Sequence, residues 1–228
     1  MPRELVILGT GPHAREMARI VERINQVSPT WELLGFVSDH RSLRSRSVDG
    51  QPVLGSIDAL AELPAAAAVP ESEWWQLDEL PRERWASLVD PSCFVAAGVE
   101  VGRGCVVFPN GFLGSNARLG DFVFCLAGCT INHDAKLEER VMLASGVTLA
   151  GKVVVERGSY VGQDATVRQE VRIGRRAFVG MGSVVVRDVA PNTVVVGNPA
   201  RVLSETNDVH RAGSGMGKGE FRRLQERG

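Results

Sequence analysis

The sequence predicts a small α/β unit followed by a parallel β-solenoid, and three patterns carry that expectation. From Val95 through Val107, Leu113, Ile131, Leu149 and Val167 to Val185, an apolar residue recurs at every sixth position. With 44% hydrophobic residues overall, chance would hold one register through sixteen such hexads about twice in a million trials. A second column of small, uncharged residues sits two positions earlier, from Cys93, Val99 and Cys105 to Ala177 and Ser183. Residues two apart on a strand share a face, so each hexad offers a short strand with one small and one larger inward side chain. The third pattern opens the chain: Leu5-Val6-Ile7-Leu8 runs into Gly9-Thr10-Gly11-Pro12-His13 and then into helical spacing. Strand, glycine turn, helix begins a doubly wound unit.

In order, Leu5 to Leu8 reads as a buried strand, and Met17, Ala18, Ile20, Val21 and Ile24 line one face of a helix ending near Val27. A second strand spans Glu32 to Val37 and ends at Ser38-Asp39, where an acid in such folds often meets a ribose. Residues 41–49 form a polar loop, 57–63 a short helix, 65–69 a third strand, and Trp74, Trp75, Leu77 and Leu80 a further helix. The parallel sheet is expected to hold three or four strands. Glycines follow the large inward residue at Gly102, Gly114, Gly120, Gly162, Gly174 and Gly180, where a corner would use their tolerance of positive φ. The rhythm fails near Pro191, and Val194 to Arg201 closes the solenoid. The divisions are 1–89, 90–203 and a polar, Gly-rich tail over 204–228 that is expected to be disordered.

A net charge of −1 and a pI near 6.4 give no bulk reason for nucleic-acid or membrane binding. No apolar run approaches the roughly 20 residues of a membrane helix, and Met1-Pro2-Arg3-Glu4 leads straight into a strand. A cytoplasmic location is expected. All four cysteines (Cys93, Cys105, Cys125, Cys129) fall on the inward columns, which reads as core filling rather than metal or redox chemistry.

His133 is the one histidine within the hexads, inside Asn132-His133-Asp134 and two residues past inward Ile131, hence at a corner or outer face. The adjacent Asp134 could orient its ring and raise its basicity. If three hexads make a coil, residues eighteen apart stack about 4.8 Å apart. Gly151 then lies above His133, Ser115 below it and Gln169 two coils up. A glycine over the imidazole leaves room for a reacting group, and its N–H could face an oxyanion. Three-histidine zinc chemistry is excluded, because the solenoid holds a single histidine. Arg168, Arg172, Arg175 and Arg176 read foremost as a solvated basic face, with attraction of a phosphorylated ligand as the second reading.

These residues resemble the hexapeptide-repeat acyltransferases, and within them the NeuD-type sugar O- and N-acetyltransferases. The likeness covers about residues 4–203 and rests on Ile7 to His13, Phe36-Val37-Ser38-Asp39, the hexads, Asn132-His133-Asp134 and Val196-Gly197-Asn198-Pro199-Ala200-Arg201. It implies a Rossmann-like α/β domain before a left-handed parallel β-helix. It also implies a homotrimer with sites between neighbouring solenoids, acetyl-CoA as co-substrate without metal, and a nucleotide-linked sugar held by the N-terminal domain. His133 would match the catalytic base and Asp134 its supporting acid. Gly11, Pro12, His13 and Asp39 would match the sugar-nucleotide contacts, and Gly151, Gln163 and Met181 the acetyl-CoA contacts. Two positions depart from the pattern: Ser38 stands where some members carry an acid, and Met142 where some carry a second histidine nine residues past the base.

The expected reaction is direct acetyl transfer to the amine of a nucleotide-linked amino sugar, a choice over oxygen that rests on analogy with bacterial amino-sugar enzymes. O-acetylation of sialic acid or another sugar, or of an amino acid such as serine, and a non-catalytic sugar-nucleotide-binding solenoid are the alternatives.

Overall fold

The computed structural model describes residues 1–38, 47–63, 67–71 and 80–205. The expected helix over Trp74 to Leu77, the site residue Asp39 and almost all of the tail lie outside them. Strand β1 (Arg3–Leu8) is flanked in parallel by β2 (Trp31–Val37) and β5 (Ala67–Pro70). A fourth parallel strand, β4 (Gln51–Gly55), adds to β2, and a two-residue β3 (Ser47–Val48) pairs antiparallel at the edge. Alternate β1 residues are buried on opposite sides. Leu5 and Ile7 pack with Ala14, Met17, Ile20 and Val21 of helix α1 (Pro12–Val27), while Val6 and Leu8 pack with Val37, Leu60 and Trp85. Burial on both faces is why β1 reads as a continuous apolar run. Strand β4 escaped the sequence reading because Pro52 and its flanking glycines look like a loop.

Helix α1 begins without a side-chain cap of its own. The carboxylate of Glu71, just past β5, accepts the Gly11 N–H at 3.2 Å and the Ala14 N–H at 3.3 Å. A Cβ on Gly9 or Gly11 would collide with that carboxylate. The N–H groups of Gly11 and Ala14 at this turn are thus held by an internal anion, which suits the positive end of a helix.

The hexads fold as a three-faced prism. Residues eighteen apart pair in parallel, as Phe112↔Thr130↔Thr148 and Phe124↔Met142↔Tyr160 show. One face stacks eight strands, from Leu88–Val89 up to an antiparallel Arg201–Glu205; the other two stack six and five. Inward residues from Cys105 to Val195 form one core. The lowest coil is the exception, with Val95 at 49% and Val101 at 37% exposure, because no coil lies beneath them.

The corners correct the expectation about glycine. The left-handed residue lies two positions after those glycines: Gly104, Asn116, Phe122, Asp164, Arg176 and Gly182 take φ of 55–65°. The glycines themselves are needed for close approach. A Cβ on Gly162 would sit 2.6 Å from the Met181 nitrogen, and one on Gly102 2.6 Å from the Gly120 carbonyl carbon.

Two of the buried cysteines act as donors. Cys105 Sγ reaches the Gly120 carbonyl at 3.0 Å and Cys129 Sγ the Ala144 carbonyl at 3.2 Å, the offset that Ser159 keeps to Gly174 at 2.8 Å. Burial pushes both thiols up to about 12, so they stay protonated.

The two parts share their cores. Phe108 and Phe124 of the prism join the α1 cluster, and Phe122 packs edge-on to Trp85 at 5.1 Å. Arg23 of α1 grips the fully buried Asp90 carboxylate at 2.7 and 3.0 Å, and Ser92 adds its N–H at 2.8 Å and its hydroxyl at 2.6 Å. Burial alone would raise the Asp90 pKa, but the Arg23 and Ser92 hydrogen bonds outweigh it and lower it.

Two outcomes follow from these contacts. Asp90→Asn should cost about 2 kcal/mol near neutral pH, less than a fully buried pair would because Arg23 stays half exposed. Since the folded pKa is depressed, this stabilisation is full above the unfolded value of about 3.9 and is lost as pH falls through the folded one. Urea midpoints of the two proteins should therefore converge in acid. Glu71→Ala should lower stability by about 1 kcal/mol, as loss of a cap does, and millimolar sulfate should raise the melting temperature of the variant but not of the parent.

Candidate functional site

The Asn132-His133-Asp134 corner leaves the second face just after buried Ile131. Asn132 Nδ2 donates to the Leu149 carbonyl of the coil above at 2.8 Å, and the Lys152 N–H donates to the His133 carbonyl at 2.9 Å. Asp134 adopts φ 59°, a region Asp enters more readily than most residues. Its Oδ2 lies 2.8 Å from His133 Nδ1. Its Oδ1 accepts from Asn116 Nδ2, one coil below, at 3.2 Å. The His133 hydrogen bond first, and the Asn116 amide second, hold the Asp134 carboxyl below its usual range.

The His133 side chain is 54% exposed. With Nδ1 directed at a carboxylate, the favoured tautomer carries its proton there and leaves Nε2 with a lone pair. Nε2 lies against Gly151: a Cβ at that position would come within 2.6 Å of ring Cε1, so only glycine lets the imidazole stand there. Among the described residues the Gly151 N–H donates to no backbone partner. The bare imidazole nitrogen of an exposed side chain and the uncommitted backbone donor of a buried glycine therefore adjoin at one corner. That pairing can accept a proton and stabilise a developing oxyanion.

The other expected residues are distributed differently. Gln163 and Met181 follow the first-face strands Tyr160–Val161 and Phe178–Val179, which stack directly, so the two sit one above the other on a different edge of the prism. Met181 is 70% exposed. One chain does not bring them to His133. Gly11 and Pro12 form the α1 turn closed by Glu71, and the His13 ring packs on Phe124 and Phe108 at 5.7 and 6.0 Å, at the joint with the prism. The arginines form no single patch. Arg172 pairs with Glu156 at 2.7 Å and the Arg175 N–H bonds the same carboxylate, whereas Arg168 leaves another face. An open depression of about 450 Å³ lies on the charged third face among Glu100, Arg118, Lys136 and Glu138, away from His133. Among the described residues no three His, Cys, Asp or Glu side chains group as a metal would need.

Asn116 and Glu71 escaped the sequence reading. Asn116 had a usable signal, its eighteen-residue offset from Asp134. Glu71 had none, because its role depends on β5 lying beside β1.

No protein-family model matches the chain, and no curated protein is similar to it. Solved structures are. The acetyltransferase domain of PglB from Neisseria gonorrhoeae FA1090, in complex with acetyl coenzyme A, is 25% identical with a TM-score of 0.80, over 89% of this chain and 100% of that one. A histidine-to-asparagine mutant of perosamine N-acetyltransferase from Caulobacter crescentus, in complex with CoA and GDP-perosamine, is 26% identical with a TM-score of 0.77, over 88% and 97%. WeeI from Acinetobacter baumannii AYE is 25% identical with a TM-score of 0.77, over 87% and 99%. Over nearly its whole described length, the chain shares its fold with solved acetyltransferases.

Proposed function

We propose that this chain is an acetyl-CoA-dependent acetyltransferase that modifies the amino group of a nucleotide-linked amino sugar. The observation that carries the reading is the exposed His133–Asp134 pair with Nε2 set against Gly151. The similarity to structures holding acetyl-CoA, and CoA with GDP-perosamine, supports both substrates.

In this mechanism His133 Nε2 takes a proton from the sugar amine as the nitrogen attacks the thioester carbonyl carbon. Asp134 holds the imidazolium, and the Gly151 N–H receives the oxyanion. Collapse breaks the C–S bond, and His133 returns the proton to the departing thiolate, leaving an amide and free CoA. No cysteine takes part: the thiols of Cys105, Cys125 and Cys129 are buried and held protonated.

We read the prism as left-handed and the assembly as a homotrimer with sites between subunits. Gln163 and Met181 occupy a different edge from His133, so a side-by-side neighbour is what would bring them to acetyl-CoA. The N-terminal unit (1–89), read as a reduced Rossmann-like domain, would hold the nucleotide through Gly11, Pro12, His13 and Asp39. Because Glu71 already occupies the Gly11 and Ala14 N–H groups, the phosphates would lie clear of that carboxylate. Residues 90–203 would carry the transfer chemistry.

Thiol release from acetyl-CoA, measured with nucleotide amino sugars, free sialic acid and serine, tests the reading. Turnover with the first class alone supports it; turnover with none removes it. His133→Ala should lower kcat at least about a hundredfold, the contribution of a general base, with circular dichroism unchanged. Gly151→Ala should lower kcat by a similar order, since its methyl would displace the imidazole.

A further inference from the structure

We infer that Asn116 is a positioning residue for His133, acting through Asp134 as the lowest member of a vertical Asn116–Asp134–His133 chain; this rests on the function proposed above. The three side chains come from two adjacent coils at one corner. Asn116 Nδ2 donates to Asp134 Oδ1 at 3.2 Å, and Asp134 Oδ2 meets His133 Nδ1 at 2.8 Å, so each carboxylate oxygen has one partner. A carboxylate fixed at both oxygens cannot swing, and the imidazole tautomer is fixed with it.

The orientation of the amide has a cause of its own. Below Asn116 stands Gly98, where a Cβ would run into Asn116 Oδ1. With no side chain there, the amide turns its oxygen down and its NH₂ up toward Asp134. The simpler explanation is that Asn116, at φ 59°, is present only because asparagine tolerates the left-handed region. Neighbours in the same column argue against that. Lys152 and Glu170 adopt φ of 58° and 64° with no such side chain, so the backbone does not demand asparagine.

The charged groups around the ring are few. Asp134 is beside it, and Lys152 on the coil above has Nζ paired to Glu170 at 3.5 Å. Ser115 and Asn116 below are uncharged. The strength of the Asp134–His133 pair is therefore sensitive to what Asn116 does. Removing the amide donor frees Asp134 Oδ1, lets the carboxylate rotate and loosens its hold on His133 Nδ1.

Asn116→Gly keeps a residue at ease in the left-handed region, so the corner should fold. Ring 15N NMR reads the His133 tautomer directly, with the His133 signals assigned by their loss in His133→Ala. In the parent the ring should carry its proton on Nδ1, and Asn116→Gly should turn this into a mixture of tautomers. In the transfer assay Asn116→Gly should lower kcat about tenfold at an unchanged KM for acetyl-CoA. In an Asp134→Asn background the same substitution should have no further effect. An unchanged His133 tautomer in Asn116→Gly, or an equal kcat loss without the Asp134 carboxylate, would overturn the assignment. A parent protein with no turnover on any acceptor would remove the proposed function alone, since the ring spectrum reads Asn116 without catalysis.

Discussion

The parallel register of eighteen residues governs everything else in this molecule. Along each strand the N–H of residue i donates to the carbonyl of i+17, as from Phe112 to Cys129 and from Asn132 to Leu149. At each corner the sense reverses, with Asp134 donating down to Ser115 and Lys152 down to His133. These bonds fix which side chains stand over which. Asp134 lies above Asn116, and Gly151 above His133, because the backbone permits no other neighbour. The hydrophobic columns make coils stack, but the hydrogen bonds set the rotation between them.

The second constraint is the joint between the sheet and the prism. It is apolar and extensive, with Phe108, Phe122 and Phe124 shared by clusters from both parts, and it is pinned by the Arg23–Asp90 pair. An interface of this kind discourages relative motion. His13, packed on Phe124 and Phe108, therefore keeps a fixed position against the prism.

Much of this was legible in the chain itself. The period of six implies the prism, and three hexads to a coil imply which residues stand above and below His133. The exposure of His133 followed from its distance from Ile131. Three things were not legible. The lowest coil is exposed because burial depends on a next coil, and Val95 looks no different from Val107 in the sequence. The corner glycines invited the wrong cause, since periodicity locates a glycine without saying whether torsion or proximity requires it. Glu71 acts sixty residues from Gly11, and no local pattern spans that distance.

The same register has a consequence for how such a chain can change in length. Losing six residues between Ser115 and Gly151 would leave the hydrophobic rhythm intact, yet it would turn everything above the deletion by one face. His133 would then stand beneath some residue other than Gly151, or Asp134 above one other than Asn116, in a prism as well packed as before. Insertions and deletions that spare this corner must come in whole coils, so the grain of this protein's evolution is eighteen residues rather than six.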